Sequence, residues 1–311
     1  MTAYLLRRLL QMIPNLFGVI LLVFLLFNWV GGDPAYVLAG KFSNPADIAN
    51  IRHQLGVDRP LWLQFGIFLR QVLTFDYGIS WATQEPVAHI LATRLGPSLA
   101  VLLPMLLLET VLGVAIALAV AWLRDSWVDR LLTLGTTTAM SISLLVYIIV
   151  GQYVFAFKLG WFPVQGWANQ GESWVPYAVL PVLLGLAVSL APAVRLYRTF
   201  ILDEIGQDYV RTARAKGVGQ ARLMLVHVLR NASIPIITNV LASLPGLLIG
   251  AFLLERFFSI PGIGREVILA VERSDFPVIK AVTVMVAAAT VLFNLLADLA
   301  YQWIDPRVEL S

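Results

Sequence analysis

Six runs of predominantly apolar residues, each long enough to cross a bilayer, constrain this chain more than any other feature. They fall at about 9–30, 98–123, 131–157, 176–196, 234–254 and 281–303. The first, Leu9 to Val30, is 22 residues, which at 1.5 Å per residue gives roughly 33 Å against a hydrocarbon core of about 30 Å. Lipid offers no partner to a backbone N–H or C=O, so runs of this length must satisfy their own hydrogen bonds as helices. Composition agrees: 59% of the 311 residues are hydrophobic and only 13% are charged, where soluble domains run at about 25% charged. The expected fold class is therefore an all-α membrane protein with six transmembrane helices, in a single transmembrane domain over 1–311. The start, MTAYLLRRLL, has the positive flank of a signal peptide. The apolar run after it is long and lacks a small-residue cleavage site, so it reads as a retained first span.

Lys and Arg near span ends resist translocation, and their distribution orients the bundle. With the N-terminus inside, the inner segments carry Arg7, Arg8, Arg124, Arg130, Arg195, Arg198, Arg211, Arg214, Lys216, Arg222, Arg230 and Arg307. The short outer loops carry Lys158, Arg256, Arg265, Arg273 and Lys280. Both termini are accordingly expected in the cytoplasm. The small net charge of +3 sits in loops, where it speaks to topology rather than to nucleic acid.

The first outer loop, 31–97, is expected to hold structure of its own. Asn44, Pro45 and Asp47 form a helix start and Gly56 a stop. A second helix follows Pro60, with Trp62, Phe65, Leu69, Val72 and Leu73 on one side. It reads either as a collar that meets a partner or shields a pathway mouth, or as an amphipathic helix lying in the interface. Charges inside spans are functional candidates, because burying one in hydrocarbon costs about 3 kcal/mol or more. Glu109, near the middle of the second span, is a possible pathway residue or a protonated carboxyl packed between helices. Asp298 and Asn294 read as helix-packing groups. Glu255 and Arg256 are expected to reach the interface at the end of span five.

Several chemistries lack their residues. There is no cysteine, and His53, His89 and His227 are scattered, with no HExxH or other metal-ligand spacing. No G-x-S-x-G elbow occurs. Gly40-Lys41 is followed by Phe42 without the upstream glycine of a P-loop. No catalytic or metal residue is assigned, and ATP-driven work by this route requires another subunit.

That requirement gives meaning to the long polar stretch between the fourth and fifth spans, Asp203 to Asn231, with Arg211, Arg214, Lys216, Arg222 and Arg230. Ala213 to Ala215, then Lys216, Gly217, Val218 and Gly219, reads as helix, glycine break, helix. By composition alone it is either a plain connector or a docking surface. The stretch resembles the EAA loop of inner-membrane permease subunits of binding-protein-dependent ABC importers. Aligned on Gly217, Arg211, Thr212 and Ala213 stand at Glu-Ala-Ala, with His227, Leu229 and Arg230 at the Ile, Leu and Pro positions. DYVRTARAKG followed by HVLRNASIP is similar to the dipeptide/oligopeptide/nickel branch. So are LRRLLQMIPNLFGVILLVF with GDPA, LGVDRPLWLQF with DYGIS, GAFLLERFFSIPGIGR, and NLLADLAYQWIDPRVE.

The resemblance implies a type I ABC importer permease fold in the bacterial inner membrane. It implies a second, similar permease, two ATPase subunits that carry ATP and Mg, and a periplasmic solute-binding protein, with no cofactor on this chain. The coupling loop, 197–233, would seat on an ATPase through Asp208, Tyr209, Val210, Arg211, Thr212, Ala213, Arg214, Lys216, Gly217, Gly219, His227 and Leu229. Tyr209, Val210 and Ala213 form the expected apolar docking face, with Gly217 and Gly219 turning the backbone. Because Arg211 reverses the charge of the motif's Glu, a salt bridge built on that Glu does not carry over. Import of di- or oligopeptides is the leading expectation. Nickel or another small solute is the alternative within the family, and a stand-alone secondary carrier is the alternative outside it.

Overall fold

The computed structural model describes residues 2–29, 34–39, 44–124, 126–168, 171–246 and 251–304. Arg307 and the side chains of Arg7, Arg8 and Asp298 lie outside the described residues. Thirteen helices form among the described residues. They are α1 (Thr2–Trp29), α2 (Pro34–Ala39), α3 (Pro45–Leu55), α4 (Leu61–Thr74), α5 (Val87–Trp122), α6 (Trp127–Ser141) and α7 (Leu144–Lys158). Then follow α8 (Val175–Ile205), α9 (Asp208–Ala215), α10 (Gln220–Ser243), α11 (Phe252–Phe257), α12 (Ile263–Glu272) and α13 (Phe276–Ile304). Five of them, α1, α5, α8, α10 and α13, are long and apolar enough to cross a membrane, and α6 with α7 makes a sixth, broken crossing.

Beyond α8, which runs on to Ile205 past the expected 196, three spans differ from expectation in ways that matter. α5 starts at Val87 rather than near 98. Its 36 residues run about 54 Å, well beyond the bilayer core. Pro97, which reads as a boundary, lies inside the helix. The third span, expected to be continuous over 131–157, turns through 89° between Ser141 and Leu144. The cause is local. Thr133, Thr136, Thr137 and Ser141 spend their hydroxyls on carbonyls three or four residues back, which weakens a helix. Ser143 then caps the next one by accepting from the Leu145 N–H. The fifth span is shifted: α10 begins at Gln220 and ends at Ser243, and 252–254 belong to the separate α11.

α8 is the most enclosed span. It packs along α5 by letting small residues take large neighbours: Gly113 of α5 lies against the Tyr197 ring and Gly185 of α8 against Met105. This is how membrane helices approach closely without a hydrophobic drive. The core divides between two ends. At one, Tyr77, Val87, Ile90, Ile263, Ala270 and Val278 join the start of α5 to α12 and α13. At this collar end Phe65, Phe68 and Leu69 of α4 pack on Ile20, Val23 and Phe24 of α1. Trp62 and Leu73, expected on the same face of α4, are exposed. At the other end, the last turns of α5 and α8 pack with α9 and the first half of α10.

Two buried carboxylates hold the collar end together. Glu255, expected at the interface, is completely buried. It accepts hydrogen bonds from Ser98 Oγ (2.7 Å), the Ala251 N–H (3.1 Å) and the Arg265 N–H (3.0 Å). Ser98 Oγ in turn accepts from the Ile263 N–H at 2.8 Å. The negative charge therefore faces the amino end of α12, whose unpaired N–H groups and dipole favour it. Gly262 lies directly on this carboxylate, so that a Cβ there would collide with it, and Gly264 lies on the Phe252 backbone. Asp275 does the same for the loop before α5, accepting from Ser80 Oγ (2.5 Å) and from the Trp81 and Ala82 N–H groups (3.1 and 3.3 Å).

Glu255→Ala would orphan a hydroxyl and two N–H groups in a dry site. We expect it to lower stability by about 2–4 kcal/mol, with Glu255→Gln losing less. Thermal unfolding of the purified protein checks this. An unchanged midpoint for the alanine variant would mean that Glu255 does not hold the collar end together.

Candidate functional site

The expected coupling loop, 197–233, begins inside α8, which runs on to Ile205; the polar stretch after it folds as α9, a left-handed turn, and α10. Gln207, in extended conformation, precedes α9. Asp208, at its first position, places a carboxylate where the helix dipole favours it. The helix ends as expected: Val218 N–H returns to the Ala213 carbonyl at 3.2 Å, and Gly217 takes φ +77°. That conformation is open to glycine and costly for other residues. Gly219 differs from expectation. Its φ of −62° and ψ of 147° suit any residue, and a Cβ there meets nothing, so Gly217 alone makes the turn.

The expected docking face is turned inward. Val210 and Ala213 are buried with Leu223, Met224, Val228, Tyr197 and Ile201. The reason is energetic: an eight-residue helix is too short to be stable by itself and needs an apolar face to pack. Tyr209, half-buried beside them, donates to Glu204 of α8 at 2.6 Å. Its hydroxyl also lies 3.5 Å from the His227 carbonyl and against the Asn231 side chain. Burial, and next the hydrogen bond to Glu204, push this phenol up to about 12, so it stays a donor at physiological pH. His227 and Leu229 are half-buried in α10, His227 within a π-helical segment, Leu223–Val228, and Leu229 just after it. Such segments concentrate at functional sites.

What remains exposed is a basic rim. Arg211, Thr212, Arg214, Lys216 and Gly217 on α9 and its turn, and Arg222 on α10, are all exposed. Asp208 is the one acid between 208 and 222, and its 3.4 Å pair with Arg211 joins two exposed side chains, worth under about 1 kcal/mol. Leu225 and Val226, 58% and 49% exposed, add an apolar edge that reading for charge passed over. Their signal was available, since four apolar residues in a row follow Arg222 and the last two fall on the opposite face to Leu223 and Met224. At the same end Arg198 of α8 binds both oxygens of Asp129 of α6 (2.9 and 3.0 Å). Glu109 stands apart, half-buried on α5 and facing Ser189 and Tyr197 of α8.

Comparison with known proteins covers nearly the whole chain. The family described as binding-protein-dependent transport system inner membrane component matches residues 110–310. Its N-terminal companion, the binding-protein-dependent transport system membrane component N-terminal region, matches residues 1–102. The chain is 37% identical over 313 residues to a probable peptide ABC transporter permease protein of Sinorhizobium fredii, covering 99% of each. It is 36% identical to a glutathione transport system permease protein of Salmonella typhimurium, again over 99% of each. It is 32% identical to a dipeptide transport system permease protein of Alkalihalophilus pseudofirmus, over 99% of this chain and 100% of that one.

Two substitutions separate the roles of the turn and its neighbours. Gly217→Ala should cost about 1 kcal/mol of local stability and raise amide exchange across 214–220, while Gly219→Ala should leave it unchanged. Tyr209→Phe should loosen α9 by about 1–2 kcal/mol, read as faster exchange of the α9 amides in the intact assembly. Because the folded phenol titrates above its usual value near 10, the contact's contribution is complete below that pH. It is lost as pH rises through about 12.

Proposed function

The chain belongs to the family of inner membrane components of binding-protein-dependent transport systems, and on that premise we propose the following assembly for this multi-pass permease subunit. It imports short peptides across the bacterial inner membrane, half of the pathway being this chain and half a second, similar permease. Two ATPase subunits bind on the cytoplasmic side, one of them on this chain's basic rim, and a periplasmic solute-binding protein delivers substrate at the collar end. ATP and Mg belong to the ATPases. Both termini lie in the cytoplasm.

The observation that carries the reading is the helix pair itself. An exposed rim of four cations and a two-residue apolar edge is presented by helices whose other faces are fastened into the bundle. That geometry suits transmission of force from a bound partner, and its charge suits a partner surface rich in carboxylates. Named relatives span peptide, dipeptide and glutathione permeases. The cargo those names give is peptide in each case, which supports peptides over nickel for this chain.

The test is co-expression with the neighbouring genes and reconstitution in vesicles. A second permease and two ATPases should co-purify, and uptake of di- and tripeptides should require ATP, with no uptake of nickel. Uptake by this chain alone would sink the proposal. Arg211→Glu combined with Arg214→Glu should leave the spans inserted but reduce ATP-driven uptake about tenfold or more, with ATP hydrolysis no longer stimulated by loaded binding protein. Unchanged uptake would refute docking through this rim.

A further inference from the structure

Glu109 lies deep in the span formed by α5. Fifteen residues separate it from Arg94 and fifteen from Arg124, about 22 Å at helical rise in either direction. α5 and α8 run side by side, with Gly185 against Met105 and Gly113 against Ala193 and Tyr197. Between those contacts Glu109 faces Ser189. The side chain is half-buried. Leu112, one turn further on, is exposed, so Glu109 stands at the edge of the α5–α8 seam and not within it.

A carboxylate that only ties helices together is furnished with donors, as Glu255 shows. There a hydroxyl and two backbone N–H groups take up both oxygens. Glu109 has one hydroxyl beside it, that of Ser189, and among the described residues no cation pairs with it. Hydrocarbon rejects an unpaired charge, so acids inside spans face the bundle interior or a water-filled path.

A second permease of the same pattern would not supply the missing cation. No Lys or Arg occurs at 9–30, 95–123, 131–157, 176–194, 231–255 or 281–306, so such a chain brings none to the middle of the membrane. A metal ion would need more ligands, and among the described residues no three His, Asp or Glu converge on one. A peptide with a free amino terminus does bring a cation, an ammonium with three N–H donors like that of lysine. Resting on the reading of peptide import above, we propose that Glu109 is a cargo-binding residue of the translocation pathway. Its carboxylate receives the amino-terminal ammonium of the passing peptide midway across the membrane.

The intact transporter in vesicles, supplied with saturating loaded binding protein, tests this, read as peptide taken up per ATP hydrolysed. Glu109→Gln should lower that yield for a dipeptide about tenfold, the loss expected for one charge-assisted contact, and Glu109→Asp should keep most of it. N-acetylation of the dipeptide removes the ammonium. It should lower the wild-type yield by a similar factor and leave Glu109→Gln no worse than wild type. An unchanged yield for the free dipeptide in Glu109→Gln overturns the assignment. So does an equal loss in that variant for free and acetylated dipeptide, which would mark a packing role. The two readings fail in different ways: a wild type that moves no peptide removes peptide import and this assignment together, whereas peptide uptake indifferent to Glu109 removes this assignment alone.

Discussion

The collar end depends on one buried carboxylate. Glu255 ties its own segment, through Ala251, to the start of α12, through Arg265, and to the remote α5, through Ser98. A bare carboxylate at this depth would be prohibitive. It is tolerated because every contact is a donor and because the helix end it faces carries partial positive charge. The close approach requires glycine at 262, and the next glycine, 264, lies against the backbone of the helix that carries Glu255. Asp275 repeats the device on the other side of α12, gathering the loop that leads into α5. A segment of GIS and one of SDFP, far apart in sequence, are thereby made neighbours.

The far end uses a different principle. α9 is held by apolar burial, with Val210 and Ala213 as its inward face, and by the Tyr209–Glu204 hydrogen bond. Its cations are thereby left outward without internal competition, apart from the weak Asp208–Arg211 pair. The same short helix is thus anchored by one face and available by the other.

Most of the architecture was legible from apolar run length, because the bilayer forbids unsatisfied backbone and continuous apolar runs of about twenty residues satisfy theirs as helices. The cap at Gly56 and the turn at Gly217 were legible too, each being a left-handed residue where glycine stood between helical patterns. Where reading failed, tertiary context had overridden a local rule. Pro97 reads as a boundary, yet α5 passes through it. Thr136 to Ser143 read as mid-span, yet its hydroxyls break the helix. The inward face of α9 and the burial of Glu255 were invisible because both depend on partners more than a hundred residues away or on the opposite side of a turn. A short amphipathic helix shows that it has an apolar face but not which neighbour owns it.

The right-angle bend at Ile142–Ser143 has a mechanical meaning. Its first arm, α6, is fastened near the basic rim by Asp129 and Arg198. Its second arm, α7, packs Ile148 with Leu254 and Phe258 and donates from Gln152 to the Phe257 carbonyl at 3.2 Å, on the segment that carries Glu255. The broken span thus fastens both ends of the molecule with one piece of chain, its two arms set at a right angle so that each holds a different layer of the bundle.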